Sequence, residues 1–451
     1  MQQLQERDDY VRKPGIWTVV LASSAGTVIE WYDFYLYGSL AIFFSTLFYP
    51  ANEPTAAVLI SVATFATGFV VRPLGALLFG SIGDRFGRKS TFLMTLILMG
   101  IATALVGVLP TFETAGYFAP IALVVLRLIQ GLAIGGEYGG AAVYVAEHAP
   151  ANRRGFFTSF IQTTATVGFF LAIIVVLTCR LSLGEELFKQ WGWRIPFLLS
   201  SILIVLSLYL RLKLSESPVF EELRKGGKTA KSPIRESFAT GHGARYAAFA
   251  LFGATAGLGC VWYTGQFYAL YFLQSVLKLD FLTANLCLAA ALVIGTPLIV
   301  VFGALSDRVG RRKLIVTGFI LAAVFYVPIY QGIAAAVAAQ NFVLVTALIV
   351  AQLVFVGLVY GPMAAFLVEL FPAKLRYTSL SLPYHIGTGV FGGFVPLISL
   401  SLVAYTGNIY AGLAYPIAIA IMSAVVNVLC FPRALSVDTQ PATAALPAEA
   451  S

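Results

Sequence analysis

The sequence predicts an all-helical membrane protein with twelve spans, arranged as two pseudo-symmetric six-helix bundles. Apolar residues make up 59% of its 451 residues, whereas charged residues make up only 11%. Soluble domains contain about 45–50% apolar and about 25% charged residues, so this chain cannot cover a water-facing surface. Long apolar runs recur along the chain, and one charged motif occurs twice, half a chain apart.

The net charge of +8 does not indicate a nucleic-acid-binding protein. The basic residues form short clusters between apolar runs instead of one basic face or tail. The four cysteines have no spacing typical of a metal site or of a disulfide framework. The N-terminal segment MQQLQERDDYVRKPG lacks the small-residue cleavage site of a signal peptide. We therefore expect no metal, no cofactor, no nucleic-acid partner and no removable leader.

Twelve apolar runs are long enough to cross a bilayer, which requires about 20 residues each. Their hydrophobicity is continuous and does not alternate with a period of two, so helices are favoured over barrel strands. The runs lie at 16–48, 57–80, 90–109, 119–146, 155–178, 194–211, 245–275, 284–305, 314–336, 343–368, 378–404 and 409–431. This predicts an N-terminal bundle at 1–211, a central loop at 212–243, a C-terminal bundle at 244–433 and a short tail at 434–451.

The distribution of lysine and arginine predicts the orientation of the spans. If the N-terminus is cytoplasmic, 23 basic residues fall in cytoplasmic segments. Only Arg180, Lys189, Arg194 and Lys278 then fall outside. Because cytoplasmic loops carry an excess of basic residues, both termini are predicted to be cytoplasmic. We expect a multi-pass protein of the plasma (inner) membrane.

Two segments repeat at nearly the same spacing, about half a chain apart. The run FGSIGDRFGRK at 79–89 recurs as FGALSDRVGRR at 302–312. Tyr, Gly, Glu, Pro and Arg residues within 138–154 recur at equivalent places within 360–376. Two matches at nearly the same offset predict a duplicated six-helix unit, and parallel halves around a midplane cavity are a known transporter plan.

The repeated charged segments predict a gate on the cytoplasmic side. Glycine allows a tight turn between helices, and the Asp and Arg side chains can bind helix ends and each other. An alternative is that these charges only anchor the topology, but their repetition favours gating. The candidate gating or structural residues are Gly83, Asp84, Arg85, Gly87, Arg88, Glu147, Asp307, Arg308, Gly310, Arg311 and Glu369.

The motifs GDRFGRK at 83–89 and SDRVGRRK at 306–313 resemble the signature of the major facilitator superfamily. The stretches EWYDFYLYG at 30–38, RPLGALLFGSIGDRFGRK at 72–89, RLIQGLAIGGEYGGA at 127–141 and WGWRIPF at 191–197 are similar to those of its metabolite:H+ symporter family. Members of that family carry citrate, 2-oxoglutarate, shikimate, or proline with betaine. The resemblance implies a transporter, not an enzyme, that couples proton flow to substrate import by alternating access.

Five charged residues lie well inside predicted spans, all in the N-terminal half: Glu30, Asp33, Arg72, Arg127 and Glu137. A charge near the bilayer centre costs about 3 kcal/mol or more, so such residues are expected to serve a function. The helical rise of about 1.5 Å per residue puts two pairs of them at matching heights. We predict that Asp33 pairs with Arg127 and that Arg72 pairs with Glu137.

Asp33 and Arg127 are the predicted proton-coupling residues, with Glu30 sharing the proton from one helical turn away. An arginine that alternates between the aspartate and an anionic substrate would link protonation to substrate binding. The alternative is a static ion pair that holds two helices together. For Arg72 and Glu137 a structural or gating role is favoured, and proton coupling or anion binding is the alternative.

The resemblance implies that the substrate lies between the halves, at polar residues of the first, fourth, seventh and tenth spans. The candidate ligands are Arg127, Gln130, Tyr138, Tyr263, Gln266, Tyr360 and, in the eleventh span, His385; Gln162 and Gln352 are further candidates. A buried histidine can titrate or donate a hydrogen bond, although a neutral structural role is also open. For each tyrosine and glutamine, the alternative is a contact between helices.

Arginine binds both oxygens of a carboxylate, so a small organic acid is the favoured substrate, while a zwitterion would also suit Asp33 and Arg127. The alternatives are a proline or betaine osmoprotectant symporter, an uncoupled facilitator, a channel or a membrane-embedded enzyme. Osmosensing members of the family that the chain resembles often carry a long C-terminal coiled coil. The Pro-rich tail SVDTQPATAALPAEAS has no heptad pattern, which weakens the osmoprotectant alternative. We expect a monomer in the bilayer whose partners are protons and a small molecule.

Overall fold

The computed structural model describes residues 15–50, 53–86, 88–136, 138–212, 233–238, 241–371 and 376–431. These residues form helices joined by short turns, and no strand occurs within these ranges. Nine helices in them are long and apolar enough to cross a membrane. Three more helices bring the described set to twelve. They are the two shorter apolar helices Leu93–Val108 and Gly192–Leu206 and the 33-residue helix Ile16–Phe48.

The N-terminal half contains six long helices, two of them interrupted. In chain order they are α1, Ile16–Phe48; α2, Pro54–Val70 followed by Arg72–Phe86; α3, Arg88–Val108; α4, Phe118–Gly135 followed by Tyr138–His148; α5, Arg154–Leu183; and α6, Ile195–Leu212. The predicted loop at 81–89 is largely replaced by helix, because helical turns extend past the apolar stretch into the polar residues.

The C-terminal half repeats this arrangement. Its helices are α7, from Gly241 to Val276; α8, Phe281–Val309; α9, Arg311–Ala338; α10, Phe342–Leu370; α11, Arg376–His385 continued by Ile386–Gly392 and Val395–Thr406; and α12, Ala414–Leu429. Three segments of α7 and the Ile386–Gly392 segment of α11 are π-helical. Such segments often mark functional sites in helices, and one of those in α7, Thr264–Tyr268, carries a candidate ligand.

Glycines bring α2 and α4 into close contact at the depth of the buried charges. A methyl group on Gly131 would collide with the backbone carbonyl of Gly68, and one on Gly135 would collide with the carbonyl of Arg72. Small residues allow membrane helices to approach this closely. The contact holds the backbones that carry Arg72 and Arg127 in a fixed relation.

Candidate functional site

Two buried arginines share one aromatic ring at the centre of the N-terminal half. Arg72 of α2 is 1% exposed and Arg127 of α4 is 0% exposed. Their guanidinium carbons lie 4.3 and 4.1 Å from the ring centroid of Phe34 in α1. A cation over an aromatic face is stabilised by the ring quadrupole. The rings therefore hold two like charges close together, away from solvent.

Arg127 is fixed by hydrogen bonds to three acceptors. Its Nη1 donates to the carbonyl of Phe34 at 3.0 Å and to Oε1 of Gln130 at 2.8 Å. Its Nη2 donates to the carbonyl of Phe65 at 3.4 Å. Gln130 in turn donates to the hydroxyl of Thr103 at 2.8 Å. Gln130, predicted as a substrate ligand, has both ends of its amide engaged and here positions Arg127.

Among the described residues, three nitrogens of these guanidinium groups lack a hydrogen-bond partner. They are Nε and Nη2 of Arg72 and Nε of Arg127, all buried. Within the described ranges, neither guanidinium forms an ion pair with a carboxylate. Among the described residues, the contacts of the two guanidinium groups are therefore aromatic rings and neutral acceptors.

Asp33 does not form the predicted pair with Arg127. It is 1% exposed, and its Oδ1 accepts a 2.5 Å hydrogen bond from the hydroxyl of Ser200 in α6. The predicted height agrees with the structure, because Arg127 contacts the next residue, Phe34. Successive helical residues point about 100° apart, so Asp33 faces α6 while Phe34 faces the arginines. Glu30 is also buried, one turn before Asp33.

Helix α7 presents aromatic side chains from the C-terminal half to this cluster. The hydroxyl of Tyr263 lies 3.3 Å from that of Tyr35, and its ring meets Phe69 edge to face, 5.2 Å between centroids. The ring of Trp262 stacks on Tyr35 at 5.4 Å. The predicted ligand Tyr263 thus lies at the contact between the halves.

Three other predicted ligands also lie buried in the C-terminal half. Gln266 donates through Nε2 to Thr166 of α5 at 3.4 Å. The carbonyl of Tyr360 accepts from Gln162 of α5 at 3.2 Å, which again joins the two halves. His385 is buried, and its ring meets that of Tyr384 edge to face at 5.5 Å.

A second cluster of charges joins the halves at one end of the bundle. Asp307, near the end of α8, accepts hydrogen bonds at 2.9 Å from the backbone nitrogens of Gly155 and Phe156. These nitrogens belong to the first turn of α5, where a negative charge is stabilised by the helix dipole. Arg311 of α9 donates to Asp307 at 2.7 Å.

Glu369 of α10 completes this cluster. It accepts from Nε and Nη2 of Arg311 at 3.0 and 2.9 Å, and from Arg154 of the other half at 3.4 Å. We call Arg154, Gly155, Phe156, Asp307, Arg311 and Glu369 the interhalf latch. Gly310, at φ +100°, makes the sharp turn that lets Arg311 reach back to Asp307.

The other predicted gating residues are placed as follows. Arg308 is exposed and Glu147 is half-buried. Gly87 and Glu137 lie outside the described residues, so the predicted pair of Arg72 with Glu137 is not described. The side chains of Tyr138, Asp84, Arg85 and Arg88 also lie outside the described residues. Gly83 is described only as part of α2.

Phe34 is central to the site but was not predicted from the sequence. A phenyl ring has no polar atom, so Phe34 does not stand out among the charged and polar residues of the span. The signal was present in the aromatic run EWYDFYLYG, where Phe34 directly follows Asp33. Arginines inside a span next to such a run are candidates for cation–π contacts.

The family model and the relatives that match this chain are all named as transporters. The family model for "Sugar (and other) transporter" matches residues 18–431. The chain is 38% identical over 402 residues to the inner membrane metabolite transport protein YhjE of Escherichia coli K12, covering 84% of this chain and 86% of that protein. It is 36% identical over 426 residues to the shikimate transporter of the same organism, covering 91% and 93%.

Solved structures of the same fold were also found. The proton:xylose symporter XylE, of the major facilitator superfamily, bound to 6-bromo-6-deoxy-D-glucose, superimposes with a TM-score of 0.70 at 20% identity. The match covers 91% of this chain and 94% of that chain. It confirms the predicted all-helical fold of two six-helix bundles.

Proposed function

The chain belongs to the family of sugar and other transporters within the major facilitator superfamily, and from this we propose that it is a proton-coupled symporter importing a small organic acid by alternating access. As a member of this family it is a membrane transporter and not an enzyme. We propose the class of substrate, the proton as the coupling ion and import as the direction of transport.

The arginine pair supports an anionic substrate. Arg72 and Arg127 are both buried and have unused donors among the described residues. A carboxylate accepts two hydrogen bonds from a guanidinium fork, so a small organic acid would supply both a countercharge and acceptors. A relative named as a shikimate transporter is compatible with this, since shikimate is a carboxylate.

Asp33 supports proton coupling. It is a buried carboxyl whose described hydrogen bond comes from a neutral hydroxyl, that of Ser200. A proton on Asp33 together with a monoanion at the arginines adds no net charge to the site. The loaded carrier then changes conformation without burying an additional charge, which is costly in a membrane. Glu30, one turn away, is the second candidate for holding the proton.

The interhalf latch supports alternating access. It joins α5 of one half to α8, α9 and α10 of the other through charge-assisted hydrogen bonds. Such bonds are directional and can break as a set when the halves rock. Because the latch lies at the arginine-rich ends of the helices, we assign it to the cytoplasm, with both termini on that side.

Replacing Asp307 with asparagine is expected to open the latch. The N-terminus of α5 would lose the negative charge that it binds, and Arg311 would lose one ion-pair partner. We expect the closed state to be destabilised by about 2 kcal/mol, which is roughly a 30-fold shift toward the open state. Ser159 is buried in α5 against Gly303. A cysteine at Ser159, in a background without the four native cysteines, should react faster with a maleimide added from the cytoplasmic side.

The matched control is Arg308→Gln, which removes the neighbouring charge that is exposed and outside the latch. It should leave the maleimide reaction rate unchanged. An equal increase in both variants would mean that any change of charge in this loop loosens the contact, and the latch would lose its assignment as a gate.

The proposed activity is tested in liposomes that contain the purified full chain. With an acidic exterior, one of the radiolabelled acids succinate, malate, citrate or shikimate should accumulate, and a protonophore should abolish the accumulation. Uptake that is insensitive to the protonophore would indicate a facilitator. Accumulation of proline or betaine, with no acid taken up, would replace the proposal by the osmoprotectant alternative.

A further inference from the structure

A second contact joins the halves at the other end of the two helices that meet in the interhalf latch. Arg180 lies in the last turn of α5, and its guanidinium carbon is 4.2 Å from the ring centroid of Phe281, the first residue of α8. Helix α5 belongs to the N-terminal half and α8 to the C-terminal half. This cation–π contact therefore crosses from one half to the other.

The latch and the Arg180 contact lie at opposite faces of the membrane. At about 1.5 Å per residue, Arg180 is about 38 Å from Gly155 along α5, and Phe281 is about 39 Å from Asp307 along α8. The hydrocarbon core of a bilayer is about 30 Å thick. The antiparallel helices α5 and α8 thus connect the two halves at both membrane faces in this structure.

The N-terminal half directs the Arg180 side chain toward the ring. Nε and Nη2 of Arg180 donate to the two carboxylate oxygens of Glu185, a bidentate arrangement that fixes the plane of the guanidinium. Gly184, at φ +78°, makes the turn that brings Glu185 back to α5. Glu185 begins a short helix, whose buried Phe188 packs on Phe43 of α1 at 5.4 Å between ring centroids.

Within the described residues, no hydrogen bond of the Arg180 guanidinium reaches the C-terminal half. The remaining nitrogen, Nη1, is buried and has no hydrogen-bond partner among them. Asp280, next to Phe281, uses its carboxylate to cap α8 at the backbone nitrogen of Thr283. The guanidinium therefore meets the other half through a ring face, whereas the latch consists of hydrogen bonds to charged groups.

These features suit a contact that breaks and forms again. Burying a donor without an acceptor is costly, and this cost disappears when the halves separate and water reaches Nη1 of Arg180. The closed state is compensated by the ring of Phe281, because a cation–π contact is strongest when the cation is shielded from water. A permanent brace between the halves would be expected to use all of its donors.

We propose that Arg180 is a gating residue, which holds the halves together at the membrane face opposite to the interhalf latch by lying over Phe281, and that Glu185 positions it. The inference rests on the alternating-access part of the proposed function and is independent of the substrate and of the coupling ion. In a carrier whose halves rock, the two contacts break in alternation. The structure, in which both are formed, corresponds to the occluded state between the two open states.

The test follows cysteine reactivity at both ends of α5 in the reconstituted full chain without its four native cysteines. Leu177 is 3% exposed and precedes Arg180 by one helical turn on the same face. Leu177→Cys therefore reports opening at this end, as Ser159→Cys does at the latch. Both are measured in an Asp307→Asn background, where the weakened latch requires the Arg180 contact to hold the halves together.

In that background, Arg180→Gln should raise the reaction rate of Leu177→Cys about fivefold, with a membrane-impermeant maleimide added at that face. It should lower the rate of Ser159→Cys at the latch, because a shift toward one open state depletes the other. Phe281→Leu, which removes the ring face but stays apolar, should produce the same two changes. Combining it with Arg180→Gln should add nothing, as expected of two residues that act through one contact.

Lys189→Gln is the matched control. Lys189 is exposed, belongs to the same short helix as Glu185 and carries the same charge as Arg180. Its replacement should change neither reaction rate. An equal response to Lys189→Gln and Arg180→Gln would trace the effect to the charge of this membrane face and would overturn the inference.

An unchanged rate at Leu177→Cys also overturns the inference. So does a higher rate there without a lower rate at Ser159→Cys, because that result shows only a local loosening at the end of α5. In these cases the proposed function stands if Asp307→Asn alone raises the rate at Ser159→Cys. If Asp307→Asn has no effect there, the alternating-access part of the proposed function is contradicted, and this inference with it.

Discussion

Asp33→Asn is expected to abolish the uphill accumulation of substrate in proteoliposomes and to leave the exchange of substrate across the membrane intact. Asparagine keeps the size of the side chain and an acceptor for Ser200, but it cannot take up or release a proton. A symporter without its proton carrier can still rock between its two states with substrate bound. Uphill uptake driven by a pH gradient should fall to the background level, a loss of about 100-fold or more.

The measurement is uptake under an imposed pH gradient beside counterflow at equal pH on both sides. Asp280→Asn is the matched control, because Asp280 is an exposed N-cap of α8 and asparagine caps helices equally well. That variant should retain both activities. If Asp33→Asn retains gradient-driven uptake, Asp33 is not the proton carrier and Glu30 becomes the residue to replace.

The fold was accessible from the sequence because the bilayer imposes it. Apolar runs of fixed minimum length, charge asymmetry between loops and an internal repeat together predict twelve helices in two bundles. Even the depth of Arg127 followed from counting residues along α1 and α4 at the constant rise of an α-helix. The structure indeed places Arg127 beside the backbone of Phe34.

The direction of each side chain around its helix was not accessible in the same way. A residue count gives height, but the azimuth of Asp33 depends on how α1 is rotated against α2, α4 and α6. That rotation is set by packing, such as the glycine contacts of α2 with α4. Asp33 and Arg127 therefore lie at the same depth, as predicted, but the side chain of Asp33 faces α6 and not Arg127.

The identity of the helix end that Asp307 binds was also not accessible from the sequence. The sequence predicted that Asp307, Arg311 and Glu369 act together, and the structure brings them together. The group that Asp307 binds in the other half is the start of α5, through two backbone nitrogens. The sequence predicted that charges of the repeated segments bind helix ends, but no pattern of side chains indicates which helix, because every helix begins with unpaired N–H groups.

Arg127→Lys is expected to weaken anion binding by about 100-fold, even though the charge is kept. The guanidinium of Arg127 makes three hydrogen bonds, to Phe34, Phe65 and Gln130, in directions fixed by its planar fork. Among the described residues, these bonds leave the Nε–H and one N–H of Nη2 without an acceptor. An ammonium group is a point charge on a flexible stem and cannot satisfy the same acceptors while facing the substrate.

Arg72→Lys provides the informative comparison. Among the described residues, the guanidinium carbon of Arg72 lies over the rings of Trp31, Phe34 and Phe69, at 5.1, 4.3 and 4.4 Å from their centroids. An ammonium group also binds aromatic faces, so this variant should lose only about tenfold in affinity. Arg308→Lys, at an exposed position, should lose nothing.

Equilibrium binding of the transported acid, measured on protein in detergent, separates these effects from proton coupling. If Arg127→Lys binds like the wild type while Arg72→Lys does not bind, the anion is held by Arg72 alone. Arg127 would then be a structural residue that joins α4 to α1 and α2. A comparable loss in both variants would instead show that the two guanidiniums bind one anion together, each through geometry as well as charge.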